Sequence, residues 1–172
     1  IYQSCLIQYN FIGLLINGIP AGNGTNQLED WAGVHLIDTW GNFPSNSSSS
    51  SNQIRDNVIS GNYGDGIRTS NSDISSVFGN EIVHNFIGTD ASGTEAIGNT
   101  DAGIYLGDGT FDNLVDSNVI CDNVREGISL VGGSDLTTHN NTISNNFIGL
   151  GTDGLALGNT RDGISCGTYG PS

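Results

Sequence analysis

The chain has 172 residues, 26 of them Gly, with no Met, no Lys, four Arg, 18 acidic residues and a formal charge of −14. That length suits one domain with a sizeable core and is too short for two. Neutralising phosphates takes clustered cations, and Arg55, Arg68, Arg125 and Arg161 are scattered, which excludes nucleic acid and anionic lipid as partners; no apolar run is long enough to span a membrane.

In chain order, the first predicted element is the strand pair in "SCLIQYNFIG", which matches "GNEIVHNFIG" further on and puts Cys5 in the position of Asn80. The stretch from about 13 to 56 departs most from any pattern, holding Trp31, Trp40 and the run "SNSSSSSN". It is expected to contribute a partial cap or a lateral face against a neighbour or a glycan. From Asn57 the chain repeats itself. Asn57-Val58-Ile59 returns as Asn118-Val119-Ile120, Gly66-Ile67 as Gly127-Ile128, Asn80-Glu81-Ile82 as Asn141-Thr142-Ile143, and Asn85-Phe86-Ile87 as Asn146-Phe147-Ile148, always 61 residues later. Within the 61 residues, Asn-x-Ile recurs after 23 and then after 38, suggesting a short coil alternating with a long one.

Each unit consists of short runs with every second residue apolar or Asn, broken by Gly, Asn and Asp, which is strand patterning without helical periodicity. Strands recurring once per coil stack as a solenoid. The expected inward ladders are Ile59, Ile82, Ile120 and Ile143, and Ile67, Ile104, Ile128 and Ile164. Asn57, Asn80, Asn118 and Asn141 are expected to stack their amides at a turn and satisfy backbone groups there. The Gly preceding each Gly-Ile strand suits either a positive φ or a close backbone approach. The long coils begin with "NFIG" at Asn10, Asn85 and Asn146 and return through Gly22-Asn23, Gly98-Asn99 and Gly158-Asn159. Phe11, Phe86 and Phe147 have outward parity, and the inserted loops are expected to fold back over them with Ile97 and Leu157.

In "NVISGNYGDGI" from Asn57 and "NVICDNVREGI" from Asn118 the chain resembles the right-handed parallel β-helix repeat proteins, the pectate-lyase-like superfamily. The resemblance implies an all-β, right-handed parallel β-helix; one Asn-x-Ile column per coil gives about five coils, alternately short and long, over residues 1–172, and no amphipathic cap is evident at either end. It implies little about activity, because that superfamily includes lyases, hydrolases, epimerases, tailspikes and adhesins. A polysaccharide lyase of this kind is expected to offer acidic residues for calcium and a Lys or Arg to take the α-proton. Here Lys is absent, and the candidates are Arg125 with Asp122 and Glu126, and Arg161 with Asp162 and Asp101. Charge pairs on a solvated face produce the same pattern. His35, His84 and His139 lack metal-ligand spacing, and no Ser or Cys lies in a nucleophile motif. No catalytic residue is assigned, and catalysis is the weaker reading.

Other sites are expectations of composition. Calcium is the one cofactor considered, with Asp90, Glu95 and Asp153 on Gly-rich turns as its ligands, although Asp90 and Asp153 do not align between copies. Sequons at Asn23, Asn46 and Asn140 point to a glycosylated, extracellular or cell-surface protein. Ile1 stands where a Met would open a chain, as expected of a processed chain or a piece of a longer one. Cys5, Cys121 and Cys166 are an odd set.

The span from Gly163 through the last residue and on from Ile1 to Cys5 equals the 14 positions that separate Gly66 from Asn80. The primary expectation is therefore a structural protein whose copies stack head to tail into a filament, a contact that does not close. Its junction would involve Ile1, Cys5, Ile7, Ile164, Cys166 and Tyr169. Cys5 and Cys166 would flank that junction or simply point inward as small buried residues. The alternative is a carbohydrate-binding or carbohydrate-active β-helix fragment.

Overall fold

The computed structural model describes residues 2–15, 17–24, 31–37, 48–70, 76–133 and 137–168. Five coils follow one another. The first holds β1 (Tyr2–Gln3), β2 (Leu6–Gln8), β3 (Phe11–Ile12) and β4 (Ala32–Ile37). The second holds β5 (Ser48–Ser50), β6 (Gln53–Arg55), β7 (Val58–Ile59) and β8 (Asp65–Ser70). The third holds β9 (Ser76–Phe78), β10 (Glu81–Val83), β11 (Phe86–Ile87) and β12 (Ile104–Gly107). The fourth has β13 (Leu114–Asp116), β14 (Val119–Ile120) and β15 (Ile128–Gly132), and the fifth β16 (Thr142–Ser144), β17 (Phe147–Ile148) and β18 (Ile164–Thr168). Like strands pair in parallel, giving five-stranded sheets β2-β6-β10-β13-β16, β3-β7-β11-β14-β17 and β4-β8-β12-β15-β18, and a shorter sheet β1-β5-β9. Phe111 and His139 continue that shorter column by single bridges, the Phe111 ring stacked on Phe78 at 5.0 Å and the His139 ring on Phe111 at 5.1 Å between centroids.

The core is the column set these registers enforce. Ile67, Ile104, Ile128 and Ile164 pair in succession as expected. The other expected ladder is split in two: Ile59 pairs with Ile87 and then Ile120, whereas Ile82 lies with Ile54, Val115 and Ile143. The amide ladder divides in the same way. Asn52, Asn80, Asn113 and Asn141 form one stack, and Asn10, Asn57, Asn85, Asn118 and Asn146 another. Each coil carries two such units five residues apart on different sheets, Asn-x-Ile except for Cys5-Leu6-Ile7 and Asn113-Leu114-Val115, so the 61-residue offset divides into steps of 28 and 33 residues, not 23 and 38.

A third stack, Asn23, Asn62, Asn99, Asn123 and Asn159, marks the corner before β4, β8, β12, β15 and β18. In each rung one Oδ1 accepts both the backbone N–H and the Nδ2 of the Asn a coil earlier, as Asn118 Oδ1 does for Asn85 at 2.9 and 3.0 Å. These buried donors would otherwise cost about 1–3 kcal/mol each.

The residue before a rung is repeatedly left-handed, as at Asp56, His84, Ser117 and Asn145, and at Gly79 in the first stack. The positive φ that makes these bends therefore falls before Asn. The Gly before Ile serves close approach instead: a Cβ on Gly103 would stand 2.6 Å from Ile120 Cγ2 and 2.7 Å from the Gly127 carbonyl oxygen.

Coils one, three and five carry a hairpin between the second and third Asn stacks, with antiparallel bridges Leu14–Pro20, Thr89–Ala96 and Leu150–Ala156. Coils two and four pass the same point through Ser60-Gly61 and Cys121-Asp122. Ser60 Oγ donates to the Thr89 carbonyl at 2.7 Å, and Cys121 Sγ donates to the equivalent Leu150 carbonyl at 3.2 Å. Hairpins 88–98 and 149–158 meet across the fourth coil, where Thr152 donates through its N–H to the Gly93 carbonyl and through its hydroxyl to the Ser92 carbonyl. Only Phe86 gains cover from this arrangement, under Gly93. Phe11 and Phe147 remain 49% and 54% exposed, so the expected sealing of all three aromatics is not found.

Candidate functional site

The outer face of the β4–β8–β12–β15–β18 sheet is where chemistry collects. Residues following the inward Ile column point outward by strand parity, and the registers line them up as His35, Arg68, Tyr105, Ser129 and Ser165. The column tapers from long side chains to short ones. The Arg68 guanidinium lies 4.1 Å from the Tyr105 ring centroid, a cation–π contact. A side chain at Gly107 would run into that ring, so the missing Cβ lets the ring lie along its own strand. Beyond it, Ser129 and Ser165 leave the sheet surface low, and a groove of about 250 Å³ opens there.

One wall of the groove comes from the corner that precedes these strands. Two residues after the ladder amides Asn99, Asn123 and Asn159 stand Asp101, Arg125 and Arg161. Arg125 Nη1 donates to Asp101 Oδ1 at 3.1 Å, and Arg161 Nη1 approaches Glu126 Oε1 at 3.5 Å, so each cation reaches a carboxylate one coil back. The sequence-derived partners were Asp122 and Glu126 for Arg125, and Asp162 and Asp101 for Arg161. The structure re-pairs them because neighbours across coils, not along the chain, share a column, and Asp122 instead accepts the Gly98 N–H.

Behind Tyr105, Asp65 is buried and bonded to Arg68 at 2.9 Å, while its other oxygen accepts the Ala102 N–H. Burial pushes the Asp65 carboxyl up to about 6; the Arg68 hydrogen bond opposes this and the nearby Asp101 charge reinforces it. The groove thus offers fixed donors and acceptors, an aromatic ring and hydroxyls. All three arginines on this face are held by carboxylates.

The expected calcium ligands do not form a centre. Asp90 Oδ1 accepts the Thr94 and Glu95 N–H groups and its Oδ2 accepts the Ser92 hydroxyl, while Asp153 accepts the Leu155 N–H. Slight burial raises the Asp90 carboxyl, but the hydrogen bonds from Ser92, Glu95 and Thr94 outweigh it and bring the value to about 2. These carboxylates hold their own turns. Among the described residues, no group of three or more His, Cys, Asp or Glu is placed to hold a metal ion.

Of the sequons, Asn140 is exposed at a left-handed bend. Asn23 is a ladder rung whose Nδ2 donates to Asn62 Oδ1 at 2.9 Å, so a glycan there would break the rung. Asn46 lies outside the described residues, as do Ile1, Tyr169 and Trp40. Cys5 occupies the Asn column as expected, its N–H bonded to Asn52 Oδ1. Cys166 sits in the inward column with Leu130 and is exposed, as is Cys5. Cys121 is buried, which pushes its thiol above the usual range.

The family described as "Right handed beta helix region" matches over residues 45–166. With that match and five coils of stacked parallel sheets, the chain belongs to the right-handed parallel β-helix family. No curated protein and no solved structure matches it.

Proposed function

We propose that this chain is an extracellular β-helix that binds carbohydrate in the groove beside Tyr105. The observation that carries the reading is the step in one outward column, where Tyr105 gives way to Ser129 and Ser165 under a wall of Arg–carboxylate pairs. Concave sites with an aromatic surface and a few convergent polar groups suit a ligand that is apolar on its ring faces and polar at its rim. The exposed Asn140 sequon supports an extracellular setting. Screening the whole chain on an array of oligosaccharides tests the reading. Binding is expected, and Ser129→Trp, which fills the groove at a buried position, should abolish it in protein whose far-UV circular dichroism shows the coils intact. Absence of binding, or binding that survives Ser129→Trp, removes the reading.

A second reading, an extracellular structural protein whose copies stack end to end, is favoured by the uncovered fifth rung. Ile164 is 46% exposed, whereas Ile67, Ile104 and Ile128 in the same column are fully buried. A further coil, whether from the same polypeptide or from a second copy, would bury it. In the direct register, hairpin-bearing coils five and one of successive copies would be neighbours, although hairpins 88–98 and 149–158 meet across a hairpin-free coil. Such a stack would bring two hairpins together without the hairpin-free coil that separates them within the chain, which counts against this second reading. Electron microscopy decides the second: filaments with an axial rise of about 24 Å, five coils of ~4.8 Å, support it, and discrete particles at high protein concentration overturn it.

A further inference from the structure

Resting on the reading of the groove as a saccharide site, we infer that it takes a neutral, hydroxyl-rich chain lying along the helix axis, and rejects an acidic one. The first argument is charge. Arg125 and Arg161 line the groove and Arg68 lies against the Tyr105 ring at its end, and Asp65, Asp101 and Glu126 hold Arg68, Arg125 and Arg161 at 2.9, 3.1 and 3.5 Å. A uronate would meet guanidiniums whose charge Asp65, Asp101 and Glu126 already offset, with those carboxylates alongside, so it gains little net attraction and faces like charge. It would also approach a chain of net charge −14, whose field opposes anions before contact. An acidic polymer needs spare cations, and this wall supplies none.

The second argument is hydrogen-bond type. A sugar hydroxyl both donates and accepts, so it can give its proton to Asp101 or Glu126 while accepting from the arginine beside it, without breaking the pair. The Ser129 and Ser165 hydroxyls on the floor have the same dual capacity. The third argument is spacing. The Arg125–Asp101 pair joins coils three and four, and Arg161–Glu126 joins coils four and five. The two pairs therefore repeat at one coil, about 4.8 Å along the axis, a step comparable to one pyranose ring. A chain running across the strands meets one pair per ring, and its first ring abuts Tyr105.

The test titrates the whole protein with a neutral gluco-oligosaccharide, a neutral manno-oligosaccharide and an oligogalacturonate, by NMR or calorimetry at pH 7 in low and high salt. The expected result is binding of a neutral chain, insensitive to salt and weakened at least tenfold by Tyr105→Ala, with no uronate binding. The double variant Asp101→Asn/Glu126→Gln, at two surface-accessible pairs, should acquire salt-sensitive uronate binding because it removes two negative charges beside Arg125 and Arg161. Uronate binding by the unaltered chain, blocked by Ser129→Trp, would overturn the inference and leave the saccharide site standing. Failure of all three sugars to bind overturns both. Failure of the double variant to gain uronate binding while it retains the neutral chain overturns the charge argument on which the inference stands.

Discussion

The two faces of one sheet obey different rules. Along β8, β12, β15 and β18 the inward column reads Ile67, Ile104, Ile128, Ile164, and the outward column one residue later reads Arg68, Tyr105, Ser129, Ser165. The inward column must fill the same cross-section in each coil, because the coils share one core and its packing tolerates little change in volume. The outward column, half-buried at Arg68, Tyr105 and Ser165 and buried at Ser129, lies outside that shared core and is free to vary in size. Periodicity therefore marks what holds the solenoid together, and departure from periodicity marks where a binding surface can be built.

Neighbouring residues offer the sharpest way to break that comparison. Ile104 is fully buried in the core cluster, and Tyr105 beside it is half-buried against Arg68. Ile104→Ala removes packed methylenes and leaves a cavity bounded by two further coils, and should cost about 4 kcal/mol. Tyr105→Ala should cost no more than about 1 kcal/mol, chiefly the lost cation–π contact, while weakening saccharide binding at least tenfold. Urea titrations of both variants check the pair. Similar losses in stability would mean that the outer face is as structural as the inner one.

Legibility follows the same division. The 61-residue offset, the Gly-Ile column and the place of Cys5 in the Asn column were all readable, because each repeats at positions a core must repeat. The assignment of Asn57 and Asn80 to one stack failed for a physical reason. Both begin an Asn-x-Ile unit, and only the register of hydrogen bonds, Asn57 to Asn85 and Asn80 to Asn113, separates two bends five residues apart. The groove was harder to find. Arg125 and Asp101 are 24 residues apart, and no local spacing joins them. Counting two residues on from each amide of the third stack after Asn23 yields Gly64, Asp101, Arg125 and Arg161, but from Asn62 onward that stack has steps of 37, 24 and 36 residues because the hairpins fall within it. The long loops that made the repeat conspicuous also hid the column that lines the groove.

A buried charge on the outer face should respond to pH in the direction opposite to most carboxylates. The Asp65 carboxyl rises from 3.8 to about 6 in the folded chain, chiefly through burial. Below pH 4 it is protonated in both folded and unfolded states. Between pH 4 and 6 the unfolded chain releases the proton first, so stability falls as pH rises through that window, by on the order of 2–3 kcal/mol at its end. Asp90 and Asp116, held below the usual range, act the other way and lose stability as pH falls. Comparing Asp65→Asn with the parent isolates the one residue. The stability difference between them should shift in favour of the variant from pH 4 to 7, and a constant difference would place the Asp65 charge in a better-solvated setting.

The smallest effect concerns the bends between the two faces. His84 is exposed and left-handed, with φ of 55°, one residue before the Asn85 rung. An L side chain there carries a steric penalty that Gly does not, yet Gly also gives the unfolded chain more freedom to lose. In the first stack the same bend is made by Gly79 before Asn80, with φ of 61°. The two terms oppose each other, and the left-handed penalty of about 1–2 kcal/mol exceeds the entropy term of about 0.4–1 kcal/mol. His84→Gly should therefore stabilise by roughly 0.5 kcal/mol. Thermal unfolding of this variant reads the balance directly. A loss of stability would mean that the bend depends on the His84 side chain as well as on its backbone, and that the run of Asp, Ser, Asn and His before the rungs is selected for contacts and not for turn geometry alone.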